Sequence, residues 1–195
     1  MNTFLRAMFE TPVGPMMAVV TEHAVAALEF IDPKRSTRLD ARLRRWRHPF
    51  EVRDGMNAQI ESVGRWLDAY FAGTSAGLSG LTLDAPGGDF ERRVWAELCR
   101  IPAGATRSYG EVAKLVGAPG AARAVGMANG ANPIAIVVPC HRVIGANGTL
   151  TGYGGGLDRK AWLLNHERRW RNALPLWLTD DLRDPASASV HPNGG

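Results

Sequence analysis

The sequence of 195 residues predicts an α/β (α+β) protein. We expect a small N-terminal antiparallel sheet with a helix, followed by a mostly helical C-terminal domain with a helix-turn-helix and a short active-site strand. Three observations predict this class: short β-compatible runs at the start, helical spacing of apolar residues later, and one continuous apolar run at 134–138. The expected boundaries are 1–84 for the N-terminal domain with its linker, 85–170 for the C-terminal domain and 171–195 for a disordered tail.

Turn residues and apolar spacing predict the elements of the first domain. The runs TFLRAMF, MMAVVT and AVAALEFI are separated by Pro and Gly residues and by a Thr-Glu-His turn, which favours an antiparallel meander. The basic stretch 33–54 is predicted to be a solvated loop or a short surface helix, with a phosphate-binding patch as the alternative. Helical spacing from 56 to 71 predicts a helix that Gly73 ends, and 73–88 is predicted to be a linker with one short strand.

The second domain is predicted to begin with a helix capped by Asp89 and to continue with a helix-turn-helix. Ser108 and Glu111 have the spacing of a capping box that opens the helix YGEVAKLVG. A second short helix, AARAVGMAN, is expected to end at Gly130, and two short helices joined by a Gly-containing turn form a helix-turn-helix pattern. Arg123 is the only charged side chain of this second helix, and its small residues suit either close approach to a narrow DNA groove or tight packing against a neighbouring helix.

The run IAIVV is apolar on both faces, so it predicts a fully buried strand that Pro139 ends. Cys140 therefore follows directly after a rigid element. A cysteine is a nucleophile only as its thiolate, and a neighbouring base oriented by a carboxylate is the usual means of activation. His141 is the candidate base and Glu167 the candidate carboxylate. Cys99, by contrast, lies inside an amphipathic helix and is expected only to pack.

Composition argues against several classes of function. A net charge of +4 is compatible with an anionic partner but does not require one. No apolar run is long enough to cross a bilayer and the N-terminus lacks the pattern of a secretion signal, so the sequence predicts a cytoplasmic protein with no membrane partner. The two cysteines are predicted to be reduced, and together with the histidines they have no zinc spacing, so no metal is expected.

The motifs IVVPCHRVIG, GYGGG and KAWLLNHE, with SYGEVA and AARAVG upstream, resemble those of the O6-alkylguanine-DNA alkyltransferases in order and spacing. The resemblance runs from about residue 89 to residue 167, and the N-terminal third is similar only in outline. It implies a single-use repair protein that moves an alkyl group, such as methyl, from O6 of guanine or O4 of thymine in DNA to its own cysteine, without a cofactor or metal. It also implies that a monomer, either alone or clustered with other copies, binds double-stranded DNA mainly through the minor groove and flips the damaged base.

The resemblance implies a role for each site residue. Cys140 would accept the alkyl group, and His141, polarised by Glu167, would draw the thiol proton through a water. Tyr109 would donate a proton to the departing guanine. Arg123 would fill the gap that the flipped base leaves in the stack. The implied substrate-binding residues are Asn132, Val143, Tyr153, Gly154 and Lys160. The other implied DNA-binding residues are Ser108, Ala121, Ala122 and Gly126.

Two other functions fit parts of the pattern. One is a cysteine hydrolase that uses Cys140 and His141, although adjacent residues rarely form such a dyad unaided. The other is a DNA-binding module that senses lesions without repairing them, although relatives of that kind lack the acceptor cysteine. Some relatives have Ser or Arg where Gly154 stands, and this difference is expected to alter which alkyl groups fit. The cysteines of an N-terminal zinc site found in some homologues are missing here.

Overall fold

A computed structural model describes residues 2–74 and 80–173 of the chain. Its elements in chain order are β1 (Asn2–Phe9), β2 (Met16–Val20), β3 (Val25–Phe30), α1 (Pro33–Arg47), β4 (Phe50–Asp54), α2 (Ala58–Phe71), α3 (Asp89–Leu98), β5 (Arg107–Ser108), α4 (Tyr109–Leu115), α5 (Ala122–Gly130), a 3-10 turn (Cys140–Arg142), β6 (Val143–Ile144) and α6 (Leu157–Ala173). Within those two ranges no helix has the length and apolar character needed to cross a membrane. The predicted tail begins inside α6, and residues 174–195 lie outside the described part of the chain.

The N-terminal sheet has the strand order β3-β2-β1-β4. The first three strands form the predicted antiparallel meander. The prediction of a purely antiparallel sheet is wrong at one edge, because β4 pairs with β1 in parallel. A parallel neighbour needs a crossover connection, and α1, which directly precedes β4, is part of it.

The first part of the basic stretch forms α1, a helix of 15 residues, so the prediction of a helix is confirmed there. The last part forms β4, where the prediction of a loop or helix is wrong. Asp32 caps it, because its side chain accepts hydrogen bonds from the backbone N–H groups of Lys34 and Arg35 at 2.9 and 3.1 Å. Leu39 and Leu43 lie one turn apart on the buried face, in a small apolar cluster that includes residues of β1, β2 and β3. The cap and this cluster fix which arginines of α1 face the rest of the molecule.

Helices α2 and α3 begin with different caps. In α2 the Asn57 side chain accepts from the backbone N–H of Ile60 at 3.0 Å. The predicted cap of α3 is one residue late, because the Glu91 carboxylate accepts from the backbone N–H of Gly88 at 2.9 Å and Asp89 is already helical. The inner face of the sheet and helices α2 to α6 share one apolar core.

Residues 134–138 are buried as predicted, but they do not form the predicted strand. Ile134 makes a single bridge with β3, after which the chain turns. Ile136 has a φ of 69°, and the backbone N–H of Val138 donates to the carbonyl of Ile134 at 3.0 Å. The side-chain amide of Asn132 donates to the carbonyls of Ile134 and Val138 and accepts from the N–H of Ile134. Because that one side chain satisfies buried backbone groups that a strand would pair, the turn is stable.

Helices α4 and α5 form the predicted helix-turn-helix, and α5 ends at Gly130 as predicted. The capping box is confirmed, because Ser108 N–H donates to the Glu111 carboxylate at 2.7 Å and Glu111 N–H donates to Ser108 Oγ at 3.2 Å. Strand β5 runs directly into α4 and pairs in parallel with β6, which follows the Cys140–Arg142 turn. The helix-turn-helix is therefore tied by backbone hydrogen bonds to the segment that carries the thiol.

Candidate active site

The thiol of Cys140 lies at the start of the 3-10 turn, where 6% of the residue is exposed. Its Sγ accepts a hydrogen bond from Asn132 Nδ2 at 3.1 Å, and its carbonyl accepts one from Asn129 Nδ2 at 3.2 Å. Burial raises the pKa of this thiol, and the bond from Asn132 offsets only part of that effect. Cys140 is therefore protonated at neutral pH and needs a base before it can act as a nucleophile.

A fully buried ionic cluster follows the thiol in the sequence. His141 Nε2 lies 2.8 Å from Glu167 Oε1, and Arg142 donates to both carboxylate oxygens at 2.9 and 2.8 Å. Burial alone would raise the pKa of Glu167, but the hydrogen bonds and charges of His141 and Arg142 outweigh it and hold this pKa well below its usual range, the charge of His141 being present only in the acid where Glu167 itself titrates. An ionised carboxylate can only accept hydrogen bonds. The proton of the neutral imidazole is therefore on Nε2, which donates a hydrogen bond to Glu167.

The other ring nitrogen of His141 is then the free base. Burial lowers the pKa of this imidazole even though Glu167 opposes the effect, so the ring is neutral at neutral pH. Its Nδ1 is buried and has no hydrogen-bond partner among the described residues. A neutral imidazole with a fixed tautomer and an unshared lone pair on Nδ1 is suited to accept a proton.

Two further groups complete the shell around Glu167. Tyr70 Oη donates to Oε1 at 2.8 Å, and the backbone N–H of Gly104 donates to Oε2 at 3.0 Å. The carboxylate thus accepts from five N–H or O–H groups. Sequence reasoning missed Tyr70, and it also missed that the Arg142 guanidinium pairs with Glu167. A phenol on the buried face of an apolar helix was the available signal, since such a hydroxyl needs a partner.

The surface of α5 is smooth except for two long side chains. Arg123 and Met127 are exposed, and Arg123 makes no ion pair or hydrogen bond with the described part of the chain. Gly126 faces the ring of Tyr109, and a Cβ at this glycine would lie 3.8 Å from that ring. The tyrosine is thereby placed between α5 and the thiol segment. Ala121 and Ala122, at the start of α5, are half-buried, as is Ser108.

Comparison with known proteins shows the family. Residues 89–169 match the model described as 6-O-methylguanine DNA methyltransferase, DNA binding domain. The chain is 44% identical over 164 residues to the methylated-DNA–protein-cysteine methyltransferase of Methanosarcina acetivorans, an alignment that covers 83% of this chain and 96% of that relative. The solved structure of Mycobacterium tuberculosis OGT in complex with DNA has a TM-score of 0.71 at 42% identity, covering 93% of this chain and 99% of that one. The chain belongs to the methylated-DNA–protein-cysteine methyltransferase family.

Another curated relative matches this chain over about half of its length. The protein of the same name from Mycolicibacterium paratuberculosis is 68% identical over 103 residues, which are 53% of this chain and 62% of that relative. The matched stretch therefore spans less than two thirds of that mycobacterial relative's own length. Helix α1 and its arginines lie outside the DNA-binding domain of the family model.

The residues that the family resemblance assigned to the base pocket surround a tightly held loop. Tyr109 Oη donates to the carbonyls of Thr151 and Gly152 at 3.1 and 3.2 Å. Lys160 is fully buried, and its Nζ donates to the carbonyls of Val143 and Thr151, both at 2.6 Å. Burial lowers the pKa of this lysine to about 8. Lys160 therefore links the carbonyl of Val143 to the loop that contains Thr151.

Tyr153 and Gly154, two further residues that the resemblance implies for substrate binding, lie near a residue from the N-terminal half. The rings of Tyr153 and His141 pack edge to face, with their centroids 6.4 Å apart. The Tyr153 hydroxyl is buried and has no hydrogen-bond partner among the described residues. A Cβ at Gly154 would overlap Nη1 of Arg35, so this guanidinium lies directly against the glycine. Arg35 is in turn paired with Glu29, whose carboxylate accepts from Nε at 2.6 Å. Sequence reasoning grouped Arg35 with the solvated arginines, because nothing local distinguishes it from them.

Both cysteines are free thiols, but only one is placed for chemistry. Burial raises the pKa of Cys99 to about 11, with no base beside it. This agrees with the packing role expected for it. In the part of the chain that the structure describes, no three His, Cys, Asp or Glu side chains are grouped so that they could hold a metal ion.

Proposed function

We propose that this protein reverses alkylation damage in DNA by taking the alkyl group onto Cys140. One observation carries the proposal: the thiol is held by Asn132, and the next residue in the chain is a buried imidazole that has a free Nδ1 and an Nε2 fixed by an ionised carboxylate. Membership of the methylated-DNA–protein-cysteine methyltransferase family supports the same conclusion.

The proposed reaction is a displacement at carbon. The thiol proton moves to His141 Nδ1 through one water molecule, since Sγ and Nδ1 form no direct hydrogen bond here. The thiolate attacks the alkyl carbon in line with the C–O6 bond, which breaks and leaves its electron pair on guanine. Tyr109 donates a proton to the departing base and regains one from solvent. One proton leaves the thiol and one is gained by guanine, so the step is balanced.

The product explains a single turnover. It is a thioether, which has no acyl carbonyl for water to attack, so the protein does not return to its thiol form. A cysteine hydrolase would need the opposite property, namely a thioester that water cleaves. It would also need a direct bond between thiol and base, whereas the Sγ atom accepts from Asn132.

The substrate is proposed to be double-stranded DNA with an alkyl group on O6 of guanine or O4 of thymine. While the base is stacked in the duplex, a protein thiol cannot reach the alkyl carbon on either atom in line with the bond to be broken, so the nucleotide must be flipped out, at a cost of a few kcal/mol. The small side chains of α5 suit close approach in the minor groove, and Arg123 would enter the stack in place of the flipped base. The protein is proposed to act as a monomer that clusters along DNA.

Several groups would bind the flipped base. The Val143 carbonyl keeps a lone pair besides the one used by Lys160, and Gly154 offers its backbone N–H. Tyr153 would form the wall of the pocket, and Asn132 would hold the thiol at its floor. The contacts that position the thiol would thus also shape the space for the alkyl group.

Intact-protein mass spectrometry tests the proposal. After incubation with duplex DNA that contains O6-methylguanine, the protein should gain the mass of one methyl group, and peptide mapping should locate that group on Cys140. The Cys140→Ser variant should gain nothing. A protein that stays unmodified under conditions where it binds the duplex contradicts the proposal.

A second measurement tests the role of Arg123. The Arg123→Ala variant should repair duplex DNA at least tenfold more slowly, because flipping costs a few kcal/mol and the inserted side chain offsets part of that cost. Its reaction with free O6-alkylguanine should keep the wild-type rate, since no base needs to be extruded. Equal slowing with both substrates would remove its role in extrusion.

A further inference from the structure

A groove of about 870 Å³ lies between α1 and the C-terminal end of α5. Arg38 and Arg45 line its α1 side, and Gly126, Met127 and Gly130 line its α5 side. The groove therefore places the basic helix, which lies outside the matched DNA-binding domain, opposite the helix proposed to enter DNA.

The arginines of the groove differ in whether a carboxylate neutralises them. Arg35 is paired with Glu29, and Arg42 is paired with Glu91. Across residues 2–74 and 80–173, by contrast, neither Arg38 nor Arg45 makes an ion pair. These two guanidinium groups have no ion-pair partner within those ranges and are called the free cations of the groove, although the charge of Arg38 acts on Glu29 and that of Arg45 acts on Glu91 at longer range.

The surroundings of the two free arginines suit an anion that comes from solvent. Arg38 and Arg45 are exposed, and the Arg45 guanidinium lies 5.2 Å above the ring of Trp46. The groove also contains one exposed carboxylate, Asp89, which forms no ion pair within the described ranges. Two free cations against one free anion leave this lining positive, which favours a negatively charged partner.

The position of α1 relative to α5 is fixed by one arginine and one tryptophan. Arg42 binds the Glu91 carboxylate through both Nη atoms at 3.0 Å and donates to the carbonyl of Pro86 at 2.8 Å. Its guanidinium lies 5.5 Å from the ring of Trp95, whose Nε1 donates to the carbonyl of Ala128 in α5 at 2.8 Å. The groove is therefore formed before any partner arrives, which lowers the cost of binding.

We infer that Arg38 and Arg45 bind phosphates of the DNA strand that runs alongside α5. This inference rests on the proposed function, in which α5 enters the minor groove. That groove is only about 6 Å wide, whereas a helix with its side chains is about 10–12 Å across. The two DNA backbones must therefore lie on either side of α5, and on this side the backbone faces α1. Guanidinium groups bind phosphate oxygens with charge-assisted hydrogen bonds.

The double variant Arg38→Ala/Arg45→Ala tests the inference. Its matched control is Arg44→Ala/Arg53→Ala, which removes the same charge from two exposed arginines outside the groove. Affinity should be measured for a lesion-bearing duplex that is too short for two copies of the protein, over a range of salt concentrations. The test variant should bind roughly tenfold more weakly at low salt. The slope of its log association constant against log salt concentration should be shallower than that of the wild type by about 1.8, which is about 0.9 for each of the two lost phosphate contacts.

Free O6-alkylguanine separates this inference from the proposed function. The test variant should alkylate Cys140 from the free base at the wild-type rate, because phosphates play no part in that reaction. The inference is overturned if test and control variants bind the short duplex alike, if the free-base reaction slows as much as repair, or if the defect appears only on duplexes that hold several copies. Failure of the wild-type protein itself to react with alkylated guanine in any form would instead refute the proposed function.

Discussion

Glu167 and Glu29 are both buried carboxylates within electrostatic range of the active-site residues, yet their pKa values shift in opposite directions. Glu167 accepts hydrogen bonds from five groups on four residues, and its pKa lies well below the usual range. Glu29 has Arg35 as its sole side-chain hydrogen-bond donor among the described residues, and burial raises its pKa to about 7. A buried carboxylate is thus held ionised by the number of donors around it, and one arginine is not enough.

The difference separates two kinds of task. The cluster around Glu167 must keep one charge state so that His141 keeps one tautomer. The pair of Glu29 and Arg35 joins β3 to α1, next to Gly154. Its strength depends on the protonation of one carboxylate, so the packing of α1 against Gly154 is expected to respond to pH near neutrality, whereas Glu167 keeps its charge there.

The largest effect is expected for Glu167→Gln. This change leaves the buried guanidinium of Arg142 without a counter-charge, which should lower the free energy of unfolding by about 3 kcal/mol. It also replaces a group that only accepts hydrogen bonds by an amide that can donate as well, so the tautomer of His141 is no longer fixed and the single-turnover rate with O6-methylguanine duplex should fall at least 100-fold. Tyr70→Phe is the matched control, since it removes one donor and no charge and should lower the unfolding free energy by only about 1 kcal/mol. Wild-type rates in the glutamine variant would mean that the relay does not contribute.

A smaller effect is expected where Arg35 meets Gly154. In Gly154→Ser the new Cβ overlaps the Arg35 guanidinium, and such overpacking should lower the unfolding free energy by about 1–3 kcal/mol. Combining it with Arg35→Ala removes the overlap, so the double variant should be more stable than the sum of the two single changes predicts, by about 1 kcal/mol or more. Urea denaturation of the four proteins measures this coupling. Simple additivity would show that the two residues do not touch in solution.

The smallest effect is a pH dependence that belongs to Glu29. Its pKa in the folded protein is about 7, above the ordinary value of 4.5, so the folded state binds more protons between these values. Its contribution to stability is therefore full below about pH 4.5 and is lost as the pH rises through 7, by about 1–3 kcal/mol. The loss should be absent from Glu29→Gln when unfolding free energies are compared from pH 5 to pH 8.

Two other titrations do not disturb that comparison. Glu167 has a lowered pKa, so its stabilisation is present above its ordinary pKa and is lost only in acid, below the window used. The lowered pKa of His141 has the opposite effect to Glu29, because it makes the folded state more stable as the pH rises toward 6.5. This effect is the same in the wild type and in Glu29→Gln, so it cancels when their unfolding free energies are subtracted. Identical pH profiles for the two proteins would show that Glu29 is ionised throughout.

Sequence reasoning succeeded where the information is local. The capping box of Ser108 and Glu111, the end of α5 at Gly130 and the meander of β1 to β3 all follow from residues within a few positions of one another. The pairing of His141 with Glu167 was also predicted, and the two side chains are 2.8 Å apart. That long-range pairing came from the motif resemblance and not from local spacing.

The remaining features depend on contacts that no local pattern encodes. Tyr70 reaches Glu167 across 97 positions of the chain, and Arg35 meets Gly154 only because α1 is capped and buried in one register. The run at 134–138 shows a different limit, because its apolar composition predicted burial correctly and conformation wrongly. The hydrogen bonds of one side chain, Asn132, decided the conformation.

The Thr151 carbonyl is held twice, once by the ammonium of Lys160 and once by the phenol of Tyr109. If Tyr109 turns its hydroxyl toward a departing base, the lysine still grips the same oxygen, so the loop beside the pocket keeps its shape. Tyr109 could in this way take part in proton transfer while Lys160 continues to hold the Thr151 carbonyl. The redundancy frees the phenol to move while the cavity around it stays rigid.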